Sequence, residues 1–436
     1  MVDHKIHAII EYEDSYVQPL LLAAIQAKLP SELLSLIQDI SELPAPNSNL
    51  LQWRQYESID FDQLVENSST SLANSYVIRK ALIRKHYLST TVSHWLTKHP
   101  TSLLKDHIKP SVEFEVDYAE FLDDALVDAF ELKESWTKNE ALDDDDSEER
   151  EWWILKPGMS DRGQGIRLFS SEEELQAIFE DWDPPSDDED DEDDEDDDAT
   201  SQGGIHTANN ANDEGNGVIT SQLRHFIAQP YIPNPLLLPS PHPSAGRKFH
   251  IRTYVLSVGA LKVYVSKPML ALFAGHPYTP PSLTSTPNKD LSAHLTNTCL
   301  QSGEREGSVH AFWSLPAHVE GISSEDWKED VFRQICSITG EVFEAAARSM
   351  GIHFQPLPNA FEIFGLDFMM DSQGRAWLLE VNAFPDFAQT GGELQDLVGE
   401  LFQDVVEVSV KPFFGLKSDE VGTKLKQVLN IDLGRR

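Results

Sequence analysis

Residues 361–384, FEIFGLDFMMDSQGRAWLLEVNAF, constrain the fold more than any other stretch of the chain. Two apolar runs flank the turn-forming cluster DSQGR, which predicts a β-hairpin. If Ser372 to Arg375 form a four-residue turn, residue 371 pairs with 376 and Asp367 falls opposite Glu380. Opposed residues of an antiparallel pair share a face, and Asn382, two residues beyond Glu380, shares it too. Phe364, Leu366, Phe368, Leu378, Leu379 and Val381 make both strands look well covered. Two covered carboxylates side by side repel, raising one pKa, unless a cation holds them. Oxygen ligands of this kind suit magnesium, which completes its shell with water and phosphate oxygens. An ordinary solvated hairpin face is the alternative.

Two further stretches carry chemistry. In WWILKPGMSDRGQGIRLF (152–169) an apolar strand ends in Lys156, a loop with Gly158, Gly163 and Gly165 follows, and a second strand begins at Ile166. Glycines let backbone N–H groups approach phosphate oxygens, and Lys156 and Arg162 add positive charge. The loop is neither a Walker loop nor a Rossmann fingerprint, and by itself it fits any surface hairpin. In RKFHIRTYVL, alternation places Lys248, His250, Arg252 and Tyr254 on one face. A row of cations suits a polyphosphate or a carboxylate, against the alternative of an exposed polar face. AQPYIPNPLLL (228–238) and HLTNTC (294–299) are weak signals alone.

The formal net charge is −39, and removing the twelve consecutive acids Asp187 to Asp198 still leaves a strongly acidic chain. Nucleic acid is therefore not an expected partner, since phosphate backbones need clustered Lys and Arg. No leader or membrane span is read, and two cysteines, Cys299 and Cys336, without a C-x-x-C fit a reducing compartment, so a cytoplasmic location is expected. Against this background residues 79–109 reverse sign, with seven Lys or Arg facing the single acid Asp106. The segment is either a solvated helix face or a docking surface for an acidic partner.

KIHAII (5–10) predicts a strand, and Val17, Leu20, Leu21 and Ala24 a helix after it. A second helix is predicted after Ser31, with Leu33, Leu34, Ile37 and Ile40 on its apolar side. Residues from about 183 to 217 have almost nothing to bury and read as a disordered acidic insertion. GRKFHIRTYVLSVGALKVYV (246–265) predicts a hairpin turned by Ser257 to Ala260. Trp327, Val331, Ile335, Ile338, Val342 and Ala346 mark one amphipathic helix, and Leu394, Leu397, Val398, Leu401, Phe402 and Val405 another.

Taken in order, WILKP…RGQGI, QPYIPNPLLL, RKFHIRTYVL, HLTN and GLDFMMDSQGRAWLLEVNAFP resemble the tubulin tyrosine ligase-like family of ATP-grasp enzymes, in a fungal-type form, over roughly residues 75–414. The resemblance implies an α+β ATP-grasp fold, in which two β-rich lobes grip Mg·ATP. On that basis a small α/β module occupies 1–110, a central lobe 111–245, a catalytic lobe 246–415 and a tail 416–436. Carried over by position, Lys156 and Lys248 would hold phosphates under the loop Arg162 to Gly165, including Gly163. Gln229, Tyr231 and Ile232 would line the adenine pocket, partly by backbone, and Thr296 would belong to the cofactor site. Asp367, Glu380 and Asn382 would hold Mg²⁺, with the cofactor-site residue Asn297 nearby, and Arg252 would face the acceptor carboxylate.

The implied reaction joins a free amino acid to a protein carboxylate through an acyl phosphate, with a tubulin tail on the basic segment as the acceptor. Two departures bear on catalysis. His250 stands where the family has an acid, and Leu272 where an arginine usually meets the γ-phosphate, a loss for which Lys267 or His250 would have to compensate. A weakened ATP-binding scaffold, of the kind associated with mRNA-decay assemblies among fungal relatives, is the alternative implied function.

Overall fold

A computed structural model describes residues 5–142, 149–158, 163–183, 224–282, 291–296, 308–322, 324–390 and 394–434. Three sheets organise them. The first is parallel and contains β1 (Ile6–Glu11), β2 (Leu34–Leu36), β3 (Leu50–Arg54) and β4 (Ser71–Ala73), in the order β2-β1-β3-β4. Parallel neighbours need a crossover, and the helix Val17–Lys28 supplies it between β1 and β2. The expected second helix after Ser31 is absent. The edge of β1 claims that backbone instead: Ile6 N–H donates to the Leu33 carbonyl at 2.7 Å and Ile37 N–H to that of Ala8 at 3.1 Å. Leu33, Leu34, Ile37 and Ile40 have helical spacing but are only half-buried, so no packed face rewards a helix there.

The second sheet is antiparallel and contains β5 (Val112–Glu115), β6 (Trp153–Pro157), β7 (Arg167–Phe169) and β8 (His225–Pro230), in the order β5-β8-β6-β7. Alternation along β6 sends Trp153 and Leu155 into a core with Trp136 and Phe179 of the covering helices Phe130–Glu140 and Glu172–Trp182. Ile154 and Lys156 consequently point out of the opposite face.

The third sheet, also antiparallel, joins β9 (Arg247–Val258), β10 (Lys262–Pro277), β11 (Val309–Ala311), β12 (Phe361–Met370), β13 (Ala376–Ala383) and β14 (Leu425–Asn430). Its order is β11-β10-β9-β12-β13, with β14 also on β10. The first hairpin turns through residues 259–261, close to the position read from sequence. Phe249, Ile251, Phe364, Leu366 and Phe368 face a core built on the helix Trp327–Ser349, whose Val331, Ile335, Ile338, Val342 and Ala346 are all buried. The helix Lys85–Lys98 adds Leu88, Val92 and Trp95 to this core, so it belongs with the third sheet rather than the first. Tyr254, Leu256, Phe361 and Ile363 face the other way, against Leu21 and Ile25 of the first helix and Leu401 and Phe402 of the helix Gln395–Val405.

The β12–β13 hairpin sets the register of everything that follows. Met370 pairs with Ala376 and Phe368 with Leu378, one residue tighter than a four-residue turn would give. A bulge between Asp367 and Phe368 then absorbs one residue, and Asp367 faces Glu380 as expected. Asp371 builds the turn by accepting from Gln373 N–H, Arg375 N–H and the Trp377 indole.

Gly340 marks where the C-terminal strand crosses the long helix, because a Cβ there would lie 2.9 Å from the Val428 carbonyl oxygen. In an open helix Gly→Ala stabilises by about 1 kcal/mol. Here Gly340→Ala is expected to destabilise by about 1–3 kcal/mol through overpacking. Chemical denaturation reads the sign, and a variant as stable as the parent or more so would show that β14 does not press on the helix.

Candidate functional site

A cavity of about 420 Å³ lies between the second and third sheets. The second sheet contributes Ile154 and Lys156 from β6 and Gln229 and Pro230 from β8, and the chain leaving β8 adds Tyr231 and Ile232. Lys248, His250 and Arg252 rise from β9, Leu272 from β10, Asp367 and Met369 from β12, and Leu379, Glu380 and Asn382 from β13. The lining is part polar and part apolar: Ile154, Ile166, Ile232, Met369 and Leu379 supply apolar side chains, and Ile232, Met369 and Leu379 pack together as one apolar slot.

The polar lining holds more cations than carboxylates, and most have a partner within the protein. Arg252 clamps Asp367 bidentately, Nε to Oδ1 at 2.5 Å and the second fork nitrogen to Oδ2 at 3.0 Å. Gly365 makes room for that clamp, since a Cβ there would fall 2.8 Å from Pro385 Cβ and 3.3 Å from Arg252 Cδ. Lys85 Nζ lies 3.2 Å from Glu380 Oε2, and the Asn382 amide donates to Glu380 Oε1 at 3.1 Å. Lys156 donates to Gln229 Oε1 at 2.8 Å, and Lys248 donates to the Tyr231 hydroxyl at 3.2 Å while lying over its ring.

Burial pushes Lys248 down to about 7, with the charge of Lys156 adding to the shift. Burial also lowers Lys156 to about 8, although Glu380 pulls it back up. For Glu380 burial acts upward, but Lys85, the Asn382 amide and Lys156 hold its carboxyl well below the usual range. Burial opposes the charge of Arg252, which the Asp367 carboxylate more than restores. Burial lowers His250, whose Nδ1 lies 2.5 Å from Thr296 Oγ1 and whose Nε2 lies 3.7 Å from Asp367 Oδ1.

Most residues singled out from sequence meet here: Lys156, Gly163, Gln229, Tyr231, Ile232, Lys248, His250, Arg252, Thr296, Asp367, Glu380 and Asn382 all line the cavity. Arg162 and Asn297 lie outside the described residues, as does most of the acidic insertion. Gly165 adopts φ +71° in the loop before β7 without lining the cavity. The Gln229 carboxamide oxygen accepts from Lys156 and its nitrogen donates to Ser111 at 2.8 Å, so its side chain is held within the cavity wall. Lys267 cannot compensate for Leu272, since it pairs with Glu329 at 2.7 Å and rests on Trp313 outside the cavity.

The basic segment 79–109 is not one exposed stripe. Arg79 is buried, 2.8 Å from Glu362 and over the Tyr56 ring. Lys85 and Lys109 enter the cavity wall, Lys109 over the Trp377 ring at 4.0 Å. Lys80, Lys98 and Lys105 stay exposed. Sequence reading thus missed Lys85 and Lys109 as site residues, because both bases were assigned to a surface.

The tubulin-tyrosine ligase family profile matches residues 74–417. The chain belongs to this family. It is 45% identical over 407 residues to a probable tubulin–tyrosine ligase of Schizosaccharomyces pombe, covering 93% of this chain and 91% of that one. It is 44% identical over 414 residues to the probable tubulin–tyrosine ligase Pby1 of Saccharomyces cerevisiae, covering 92% of this chain but only 51% of that protein. The chain therefore spans about half the length of the budding-yeast relative. Among solved structures it is similar to the C-terminal domain of K. lactis Pby1, described as an ATP-grasp enzyme interacting with the mRNA decapping enzyme Dcp2. That likeness has a TM-score of 0.69 and 35% identity, and covers 98% of this chain and 99% of that one. The fold is α+β and of ATP-grasp type, and the cavity lies between its two β-rich lobes.

If Lys85 serves the cavity rather than a surface, Lys85→Met weakens ATP binding at least about tenfold, a change of about 1.4 kcal/mol. Lys98→Met on the same helix leaves it unchanged. Calorimetric titration of both variants separates the roles, and equal affinities would return Lys85 to the surface group.

Proposed function

We propose that this protein is an ATP-dependent carboxylate–amine ligase. The observation that carries the reading is the convergence of Lys85, Lys156, Lys248 and Arg252 on the same cavity as Asp367, Glu380 and Asn382. Base and ribose enter by the apolar slot beside residues 230–232, and the phosphates reach the cations. The residues fit a hard divalent cation, because Asp367 and Glu380 offer only oxygen from two adjacent strands, and the Asn382 amide, whose nitrogen faces both carboxylates, would turn its carbonyl to the ion. Bound there, magnesium would neutralise phosphate charge.

The chain's own residues then perform two tasks. Lys156 and Lys248 hold phosphate oxygens in line as an acceptor carboxylate oxygen attacks the γ-phosphorus and ADP leaves. Arg252, fixed across Asp367, faces the carboxylate and orients it. The amine nitrogen of a free amino acid next attacks the acyl carbon, inorganic phosphate departs, and an amide remains. Leu272, paired with His250 across β9 and β10, gives the cavity wall an apolar side chain beside this chemistry. Without a cation at that position the γ-phosphoryl transfer is expected to be slow.

A tubulin tail is the acceptor favoured by the family and by the printed name of the fission-yeast relative. Lys80, Lys98 and Lys105 are the exposed cations of the 79–109 segment available to an acidic tail. A second reading, an ATP-binding scaffold in an mRNA-decay assembly, draws on the Dcp2 interaction of the K. lactis neighbour and on the loss of cationic charge at Leu272.

Incubation with Mg·ATP, tubulin and mixed amino acids, followed by mass spectrometry of the tubulin tails, tests the ligase. The expected result is a mass increment of one amino acid with ADP release, lost in Glu380→Gln. Bound ATP with neither ADP nor an increment would favour the scaffold.

A further inference from the structure

Among the described residues seven large apolar side chains are exposed, and four of them fall within the thirteen residues from Tyr118 to Phe130. Tyr118 is 45% exposed, Phe121 48%, Val127 58% and Phe130 69%. The neighbours of these residues explain why they cannot all be core residues. Leu122, Leu126, Ala129 and Leu132 already fill the core beneath the second sheet, beside Trp153 and Phe179. A segment that buries one set of apolar side chains and leaves four large ones outside has a second partner to satisfy. The Tyr118 and Phe121 rings meet edge to face at 6.3 Å, so these two already form one aromatic pair on the surface.

Charge decides what covers it. From Asp117 to Glu134 the chain carries seven acids and the single base Lys133. Asp117 is neutralised by Arg224 at 2.8 Å, and Lys133 donates back to the Val127 carbonyl at 3.3 Å. Asp183 Oδ2 accepts from Ala119 N–H at 2.8 Å, which ties the start of the acidic insertion to this segment. Any cover with acidic character would meet like charge, and that includes a second copy of this chain, its own run from Asp187 to Asp198, and an anionic membrane.

We infer that the segment 118–130 is a docking surface for a basic, amphipathic peptide segment of a partner protein. Its apolar residues seat on Tyr118, Phe121, Val127 and Phe130, and its Lys or Arg residues face the surrounding acids. The surface lies on the helical side of the second sheet, opposite the cavity, so a partner held there leaves nucleotide access open. This role does not depend on the ligase reading.

The test uses the full chain and a fluorescein-labelled helical peptide of Lys and Leu, alongside a charge-matched peptide with Ser in place of Leu. Fluorescence anisotropy is expected to show binding of the Leu peptide that weakens with salt, and binding of the Ser peptide at least about tenfold looser. Phe121→Ser with Phe130→Ser is expected to loosen the Leu peptide at least about tenfold while ATP affinity stays as in the parent. Asp123→Asn with Asp124→Asn probes the same surface without touching its apolar residues, and is expected to weaken binding most at low salt.

Equal binding of the two peptides would mean that the acid run alone attracts them and would overturn the proposal. So would unchanged affinity in both double variants. Concentration-dependent self-association that disappears in the Phe121→Ser, Phe130→Ser protein would assign the surface to a second copy and overturn it equally.

Discussion

The site depends on a mutual arrangement between buried charges: Arg252 clamped on Asp367, and Lys85 beside Glu380. Neither pair of like charges would be stable alone. Two carboxylates facing each other across β12 and β13 would force one to keep its proton, and the cations above them would repel. Together they allow a cavity rich in charge to exist between two sheets. The cations outnumber the carboxylates, so a positively biased chamber sits inside a chain of net charge −39. Lys156 is already paired with Gln229 and Lys248 with the Tyr231 hydroxyl, so under the proposed function an entering anion would bind by exchanging those partners.

The positions of these groups come from the rigid parts of the fold. The floor is a six-stranded antiparallel sheet covered on both faces, and the register of one hairpin sets which side chains look upward. Gly365 matters for the same reason, because only a residue without Cβ lets Arg252 lie across β12 under Pro385. Opposite this floor the second sheet brings Lys156, which reaches the cavity because β6 alternates. Leu272 is the one residue of β10 that lines the cavity among the described residues, and it brings no charge to this floor.

Much of this was legible in the sequence, for physical reasons that also mark the limits. Period-two alternation and a short turn fix a hairpin locally, so Asp367 facing Glu380 could be read without any knowledge of the rest of the chain. The turn itself was read one residue too wide, and the bulge that restores the register leaves no mark in composition. The helix expected after Ser31 failed because apolar spacing over ten residues cannot report that the edge of β1 needs a partner. Lys85 was invisible as a site residue for a different reason: its distance from Glu380 is set by how the helix Lys85–Lys98 docks against a strand almost three hundred residues later. Charge density along the chain placed it with Lys98 and Lys105, which face solvent, whereas packing turned it inward.

Under the proposed function, ATP restores charge to lysines that burial has depressed. Free Lys248 near 7 and Lys156 near 8 are partly neutral at pH 8, and phosphate oxygens beside them favour the protonated form. Calorimetric titration of ATP at pH 8 in buffers of different ionisation enthalpy measures the protons exchanged. Net proton uptake is expected, reduced in Lys248→Met, with affinity falling as pH rises from about 7 to about 9. Binding with no proton uptake and no pH dependence across that range would contradict it.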